Sequence, residues 1–168
     1  MSGGRSSLVL RTHRPGDIGW VISRHGALYA REYGFDATFE AFVARVAADF
    51  LDSYDPARER CWVAEADGAA VGSVMLVRGT DEVGKLRMLI VEPQARGLGA
   101  GRVLVEACVA FAAQAGYRRV TLWTHDILHA ARRIYSRTGF VLVRTDPHRS
   151  WGRDLMGEEW ELALPDRD

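Results

Sequence analysis

The chain has 168 residues, 48% of them apolar and 26% charged, enough for one domain with a sizeable core. Lys plus Arg number 22, as do Asp plus Glu, and the resulting formal net charge of zero excludes binding driven by bulk attraction to nucleic acid or anionic membranes. No apolar run approaches the roughly 20 residues of a membrane-spanning helix.

The opening Met1–Ser7 has no apolar signal-peptide core. Cys61 and Cys108 stand far apart and form no Cys-x-x-Cys pair, which fits buried, reduced thiols of a cytoplasmic protein. Leu8 to Thr12 reads as a first strand, followed by the turn signal Arg14-Pro-Gly-Asp17. A helix runs from Ile18, with Asp17 as N-cap and Gly34 as stop. At about 100° per residue, Ile18, Val21, Ile22, His25, Leu28, Tyr29 and Glu32 share one stripe, with Tyr33 at its edge. Arg24, Ala27 and Arg31 lie opposite. Buried polar groups need partners, so His25, Tyr29 and Glu32 form either a self-satisfied cluster or the wall of a substrate pocket.

A second helix fits Asp36 to Leu51, with Phe39, Phe42, Val43, Val46 and Phe50 spaced as core. Arg60–Glu65 and Ala70–Arg78 form a hairpin about Asp67-Gly68. Leu86 to Val91 is an apolar strand halted by Pro93, and Gly97, Gly99 and Gly101 lead into a helix whose inward stripe is Leu104, Cys108, Phe111 and Ala115. Tyr117 to Thr124 is a strand, which makes a strand–helix–strand unit with a right-handed parallel crossover. Asp126 caps a helix over Ile127–Thr138 that Gly139 closes, and Phe140–Arg144 and Glu159–Leu164 are strands. Arg31, Arg58 and Arg60 read as solvated surface charge.

Strand, glycine turn and helix start together aim backbone N–H groups at an anion. An ATPase-type phosphate loop needs Gly-Lys-Ser/Thr, but Arg102-Val103 follow Gly101. A dinucleotide fingerprint needs glycine at 102 and an acid near the end of the next strand, and both are missing. A helix start with incidental glycines is the bland reading. His125 and His129 have the His-x-x-x-His spacing of zinc sites, but the middle Glu is absent, so no metal is expected.

Gln94-Ala-Arg-Gly97-Leu-Gly99, preceded by Val91-Glu-Pro and followed by Gly101-Arg-Val-Leu-Val-Glu-Ala, resembles the cofactor signature of the GNAT superfamily of N-acetyltransferases. Ala130-Ala-Arg-Arg-Ile-Tyr135-Ser-Arg-Thr-Gly139-Phe140 resembles that superfamily's second landmark, a helix bearing Tyr before a Gly-Phe turn. The resemblance implies an α+β fold, a mixed and mostly antiparallel sheet of about six or seven strands with one parallel crossover and helices on both faces. It implies acetyl-CoA as cofactor, with pantetheine along Leu89, Ile90 and Val91. Gln94, Arg96, Gly97, Leu98, Gly99, Ala100, Gly101 and Arg102 would surround the pyrophosphate, Tyr135 would reach the thioester sulfur as general acid, and Ala131 would leave room. His25, Tyr29, Glu32 and Tyr33 would line the acceptor side. Superfamily members often carry Glu where this chain has Lys85, so Glu82, Glu65, Glu32 and His25 are the candidate bases, and Glu32 joins Tyr135 as a catalytic candidate. His125 stands where relatives often have Asn.

Arg14-Pro-Gly-Asp-Ile-Gly-Trp-Val, residues 24–34 and 55–65, and Pro147-His-Arg-Ser-Trp-Gly152 resemble the acetyltransferase half of bifunctional MarR-type regulators. The expectation is a single domain over residues 1–168 without a DNA-binding part. It transfers acetyl from acetyl-CoA to an amine, small or peptide, by direct attack in a ternary complex; a homodimer is compatible with this. The alternative is a non-catalytic acetyl-CoA sensor.

Overall fold

Local capping chemistry sets the first elements. In the computed structural model, which describes residues 7–166, strand β1 (Leu8–Thr12) leads to helix α1 (Asp17–Tyr33). All of the Met1–Ser7 opening except Ser7 lies outside the described residues. The N-cap of α1 is Gly16 at φ 99°, not Asp17, which is the first helical residue. The Asp17 carboxylate is taken by the Arg11 guanidinium and the Arg14 N–H, each at 2.7 Å, and is not free to cap. Gly34, at φ 73°, stops the helix. Asp36 caps helix α2 (Ala37–Asp52) by accepting the Thr38 N–H at 3.0 Å.

Strands β2 (Arg60–Ala66) and β3 (Ala69–Arg78) meet at Asp67-Gly68, both at positive φ, the turn whose twist suits a hairpin. Strand β4 (Val83–Val91) passes through a 3-10 turn (Pro93–Leu98) into helix α3 (Ala100–Gln114), and strand β5 (Arg119–His125) returns beside it. Helix α4 (His129–Thr138) begins two residues later than the sequence suggests, and no side chain caps it. The Asp126 N–H instead bonds the Met156 carbonyl at 3.1 Å, which ties this turn to the neighbouring strand.

The C-terminal hairpin, β6 (Val141–Ser150) and β7 (Arg153–Ala163), is longer than its apolar pattern indicates. Strand β6 is the edge of the sheet and mostly exposed, so it tolerates a polar run with Pro147 that a central strand could not. Its turn is Trp151-Gly152, at φ 55° and 84°.

The seven-stranded sheet has the order β1-β2-β3-β4-β5-β7-β6, and only β4 and β5 run parallel. Successive side chains on a strand face opposite ways. Leu76, Leu86 and Leu122 therefore meet Leu104, Cys108 and Phe111 of α3, while Cys61 and Met75 meet Val21 and Phe50 of the α1–α2 layer. Two arginines near β2 are not merely solvated charge: Arg58 lies over the Tyr117 ring at 3.9 Å and donates to the Ala115 carbonyl at 2.6 Å, and Arg60 lies over Phe111 at 4.2 Å.

One irregularity opens the middle of the sheet. Pairing of β4 with β5 ends at Leu86↔Leu122, although β4 continues to Val91 and β5 to His125. Just past the last pair, Met88 sits at φ 56°, and the β3–β4 register shifts between Ser73 and Met75. A left-handed non-glycine residue costs about 1–2 kcal/mol, a strain held by the surrounding sheet. Beyond this bulge the parallel strands splay.

Candidate active site

Two cavities adjoin the splay. The larger, about 350 Å³, lies on the α1–α2 side between β4 and β5, with His25 and Tyr29 from α1, Phe39 and Phe42 from α2, and Trp151 on its walls. The smaller, about 150 Å³, runs along Leu89, Ile90 and Val91 toward Arg96 and Gly101. Tyr29, Leu89, Leu128 and Ala131 border both, so the two adjoin.

Tyr135 belongs to α4 and the α3-side core, against Phe140 and Trp160, yet it reaches the larger cavity through the split. It is 5% exposed, and burial pushes its phenol far above the ordinary range, so it keeps its proton. Ala131 lies one turn earlier and borders both cavities.

Of the residues assigned to the cofactor from sequence, Leu89, Ile90, Val91, Arg96, Gly101 and Ala131 line the smaller cavity. Gln94 and Leu98 lie in the 3-10 turn with Arg96 and Gly97, and Ala100 and Arg102 open α3. Helix α3 has no side-chain cap, and its first N–H groups have no intrahelical acceptor, so they present positive partial charge. The three glycines differ. Gly99 takes φ 76° at the junction, and a Cβ on it or on Gly97 would point into open space. A Cβ on Gly101 would strike Ile134 at 2.6 Å, so that glycine serves the approach of α3 to α4. Arg102 makes the exposed pair with Glu106, at 3.0 Å.

The four acceptor-side assignments separate. His25 and Tyr29 line the larger cavity, whereas Glu32 and Tyr33 line the smaller one with Tyr29. Glu32 accepts two hydrogen bonds from Arg96, at 2.7 and 3.0 Å, which ties α1 to the glycine turn. Arg24, on the supposed outer side of α1, adds a second tie to the buried Glu92 at the start of that turn. Glu82 pairs with Arg118 and Glu65 with Arg11, and neither borders either cavity. His25 donates from Nδ1 to the Val21 carbonyl at 2.8 Å, which leaves Nε2 as an acceptor, and burial lowers its pKa to about 4.

The sequence did not indicate the imidazole pair. His125 Nε2 lies 3.0 Å from His148 Nε2, and His148 Nδ1 lies 2.9 Å from Ser150 Oγ. Burial, then the neighbouring His148, hold His125 down to about 4. These residues are on β5 and β6, two strands apart, with β7 between them. Gly157 of β7 opposes His125, and a Cβ there would press on the Trp123 indole at 2.9 Å. No local pattern could have joined them; only strand pairing does.

The acetyltransferase (GNAT) family profile matches residues 26–140. The chain is 35% identical over 126 residues to "Probable N-acetyltransferase camello" of Xenopus tropicalis, covering 71% of this chain and 58% of that protein. It is 34% identical over 103 residues to an "uncharacterized N-acetyltransferase" of Mycobacterium tuberculosis, covering 61% of this chain and 66% of that one. The chain thus spans less than two thirds of the length of these relatives. Among solved structures, a Salmonella typhimurium protein with its cofactor acetyl-CoA superposes with a TM-score of 0.78 at 17% identity, over 95% of each chain. A Vibrio cholerae spermidine N-acetyltransferase in complex with CoA and spermine gives 0.72 at 17% identity, over 94% of this chain and 95% of that one. At such identity the likeness speaks for the fold.

Proposed function

We propose, from the premise that this chain belongs to the GNAT acetyltransferase family, that it transfers acetyl from acetyl-CoA to an amine bound in the larger cavity. The observation that carries this reading is the split between β4 and β5, with the protonated Tyr135 on its wall and the uncapped start of α3 at its far end. Acetyl-CoA, when bound, supplies an activated thioester. The backbone edge of β4 from Leu89 to Val91, which has no strand partner on the β5 side, offers hydrogen bonds to its pantetheine. The N–H groups at the α3 start, with Arg96 and Arg102 nearby, suit a pyrophosphate.

Two proton movements remain for side chains. An acceptor amine of pKa about 10 is almost wholly protonated at pH 7 and must shed a proton to attack. His125, held neutral by its lowered pKa, is the relay we favour: it does not store the proton but hands it on. With Nε2–H donated to His148 Nε2 and His148 Nδ1–H donated to Ser150 Oγ, His125 Nδ1 carries the free lone pair. A proton arriving there can pass along the two imidazoles to Ser150 and solvent. Tyr135 supplies the opposite movement, donating its phenolic proton to the departing thiolate and regaining one from the nitrogen as the amide forms. Glu32, held by Arg96, orders the glycine turn in this scheme and leaves the base to His125.

Within the same proposal, residues 1–168 form one domain in a cytoplasmic setting, consistent with the two buried free thiols at Cys61 and Cys108. Among the described residues, no helix is long and apolar enough to cross a membrane. The likeness of residues 14–21, 24–34 and 55–65 to the acetyltransferase half of MarR-type regulators supports that subfamily. Thiol release from acetyl-CoA with a panel of amines tests the activity. Tight acetyl-CoA binding with no turnover on any amine would replace the enzyme with a sensor.

A further inference from the structure

Arg87 is the first β4 residue beyond the last pair with β5, and it shares the α1–α2 face with its cross-strand partner Met75. It is half-buried and lines the larger cavity. Among the described residues its guanidinium has no hydrogen bond, ion pair or ring partner; the Asp49 carboxylate acts on it only through space. Every other half-buried arginine has a partner: Arg11, Arg24 and Arg132 hold carboxylates, Arg153 holds a carbonyl, and Arg58 and Arg60 lie over rings. Withdrawing a charge from water without a counter-ion is costly, and that burial lowers the pKa of Arg87. Lys85, two residues earlier on the same face and exposed, lines the same cavity and has no ion pair among the described residues. The cavity's one carboxylate, Glu159, is committed to Arg144 at 3.3 Å. The floor therefore presents a guanidinium fork with no carboxylate on it, the donor set that suits an anion.

Part of the same cavity's wall is aromatic. Phe39 and Trp151 meet edge to face at 4.9 Å between ring centres, and Phe42 and Trp123 flank them around the same space. Aromatic walls of this kind favour a ring.

We propose that the acceptor is an amino acid with an aromatic side chain, its carboxylate held by Arg87 and its ring against the Phe39–Trp151 wall, which directs the amine toward His125 and Tyr135. This rests on the acetyltransferase reading and names its substrate class.

The test compares ligands that differ only in the carboxylate. With CoA present, calorimetry measures binding of N-acetyl-L-tryptophan and of N-acetyltryptamine, and thiol release compares L-tryptophan with tryptamine. The carboxylate-bearing member of each pair should be favoured by about tenfold or more, as a charge-assisted bidentate contact allows. Arg87→Gln should erase that preference with CoA affinity unchanged, and Arg87→Lys should restore part of it. Equal binding of the two wild-type ligands, no binding of either, or a preference that survives in folded Arg87→Gln overturns the anion site. Turnover of tryptamine without any preference does the same and leaves the acetyltransferase reading standing. A binding preference that needs Arg87, without turnover of any amine, upholds the site and overturns the transferase.

Discussion

On the α3 face of the sheet, Leu104, Val105 and Cys108 are fully buried and join Leu86 and Leu122 in one apolar cluster. On the α1–α2 face, the neighbouring residues of the same strands, Lys85, Arg87, Thr121 and Trp123, turn toward a cavity of about 350 Å³. The strands are shared, and adjacent residues go to opposite duties. One face is filled to hold the sheet, while the other is left open where β4 and β5 part. Tyr135 crosses between them, packed on the first and exposed to the second.

Five substitutions would break or sharpen that contrast. Leu104→Ala, in the filled face, should cost about 3 kcal/mol, and Phe42→Ala, on the cavity wall, less than about 1.5, since only the first leaves a closed void. Urea unfolding of both variants reads the difference, and equal costs would dissolve the distinction. Tyr135→Phe removes only the hydroxyl at the crossing point. Turnover should fall about a hundredfold, equivalent to about 2.7 kcal/mol, with acetyl-CoA affinity and thermal stability nearly kept. Steady-state thiol release checks this; unchanged turnover would make Tyr135 a packing residue alone.

The open face also predicts a pH response. His25 has a folded pKa of about 4 against 6.5 for an ordinary imidazole. The unfolded chain binds the proton more readily, so stability falls as pH drops through 6.5 and levels off below about 4. Between pH 7 and pH 5 this amounts to about 2 kcal/mol. Denaturation of wild type and His25→Gln at each pH should show a shallower slope in the variant. The smallest effect is expected at the second imidazole. His148→Gln should lower turnover about tenfold and shift the acidic limb of the rate profile, with acetyl-CoA binding unmoved. An unaltered pH profile would leave the pair without a role in proton transfer.

Much of the proposed site is legible without any fold, because the half proposed for the cofactor is contiguous. Leu89 to Arg102 is one strand, one turn and one helix start, and Tyr135 follows on the next helix. The acceptor half is less legible, for a physical reason. The α1 stripe groups His25, Tyr29 and Glu32, but helical periodicity cannot say which cavity each one borders. Arg24 falls opposite the α1 stripe and Arg58 reads as solvated in sequence because their partners, Glu92 and the Ala115 carbonyl, lie 68 and 57 residues away. The β6 hairpin exceeds its sequence signal because an exposed edge strand needs no apolar alternation, and its Trp151-Gly152 turn places a bulky residue where glycine or asparagine is the usual sign.

The sequence by itself determined the order of elements, the parallel crossover, the glycine turn into α3 and the tyrosine on the next helix, since each depends on spacing within one segment. Only the tertiary structure decided that β4 and β5 part after Leu86, that Glu32 is held by Arg96, that His125 meets His148 across β7, and that Arg87 lines the cavity with no hydrogen-bond or ion-pair partner among the described residues. Those outcomes depend on register between strands and on which groups find counter-ions. Both are fixed by contacts among residues distant in the chain, which no local pattern records.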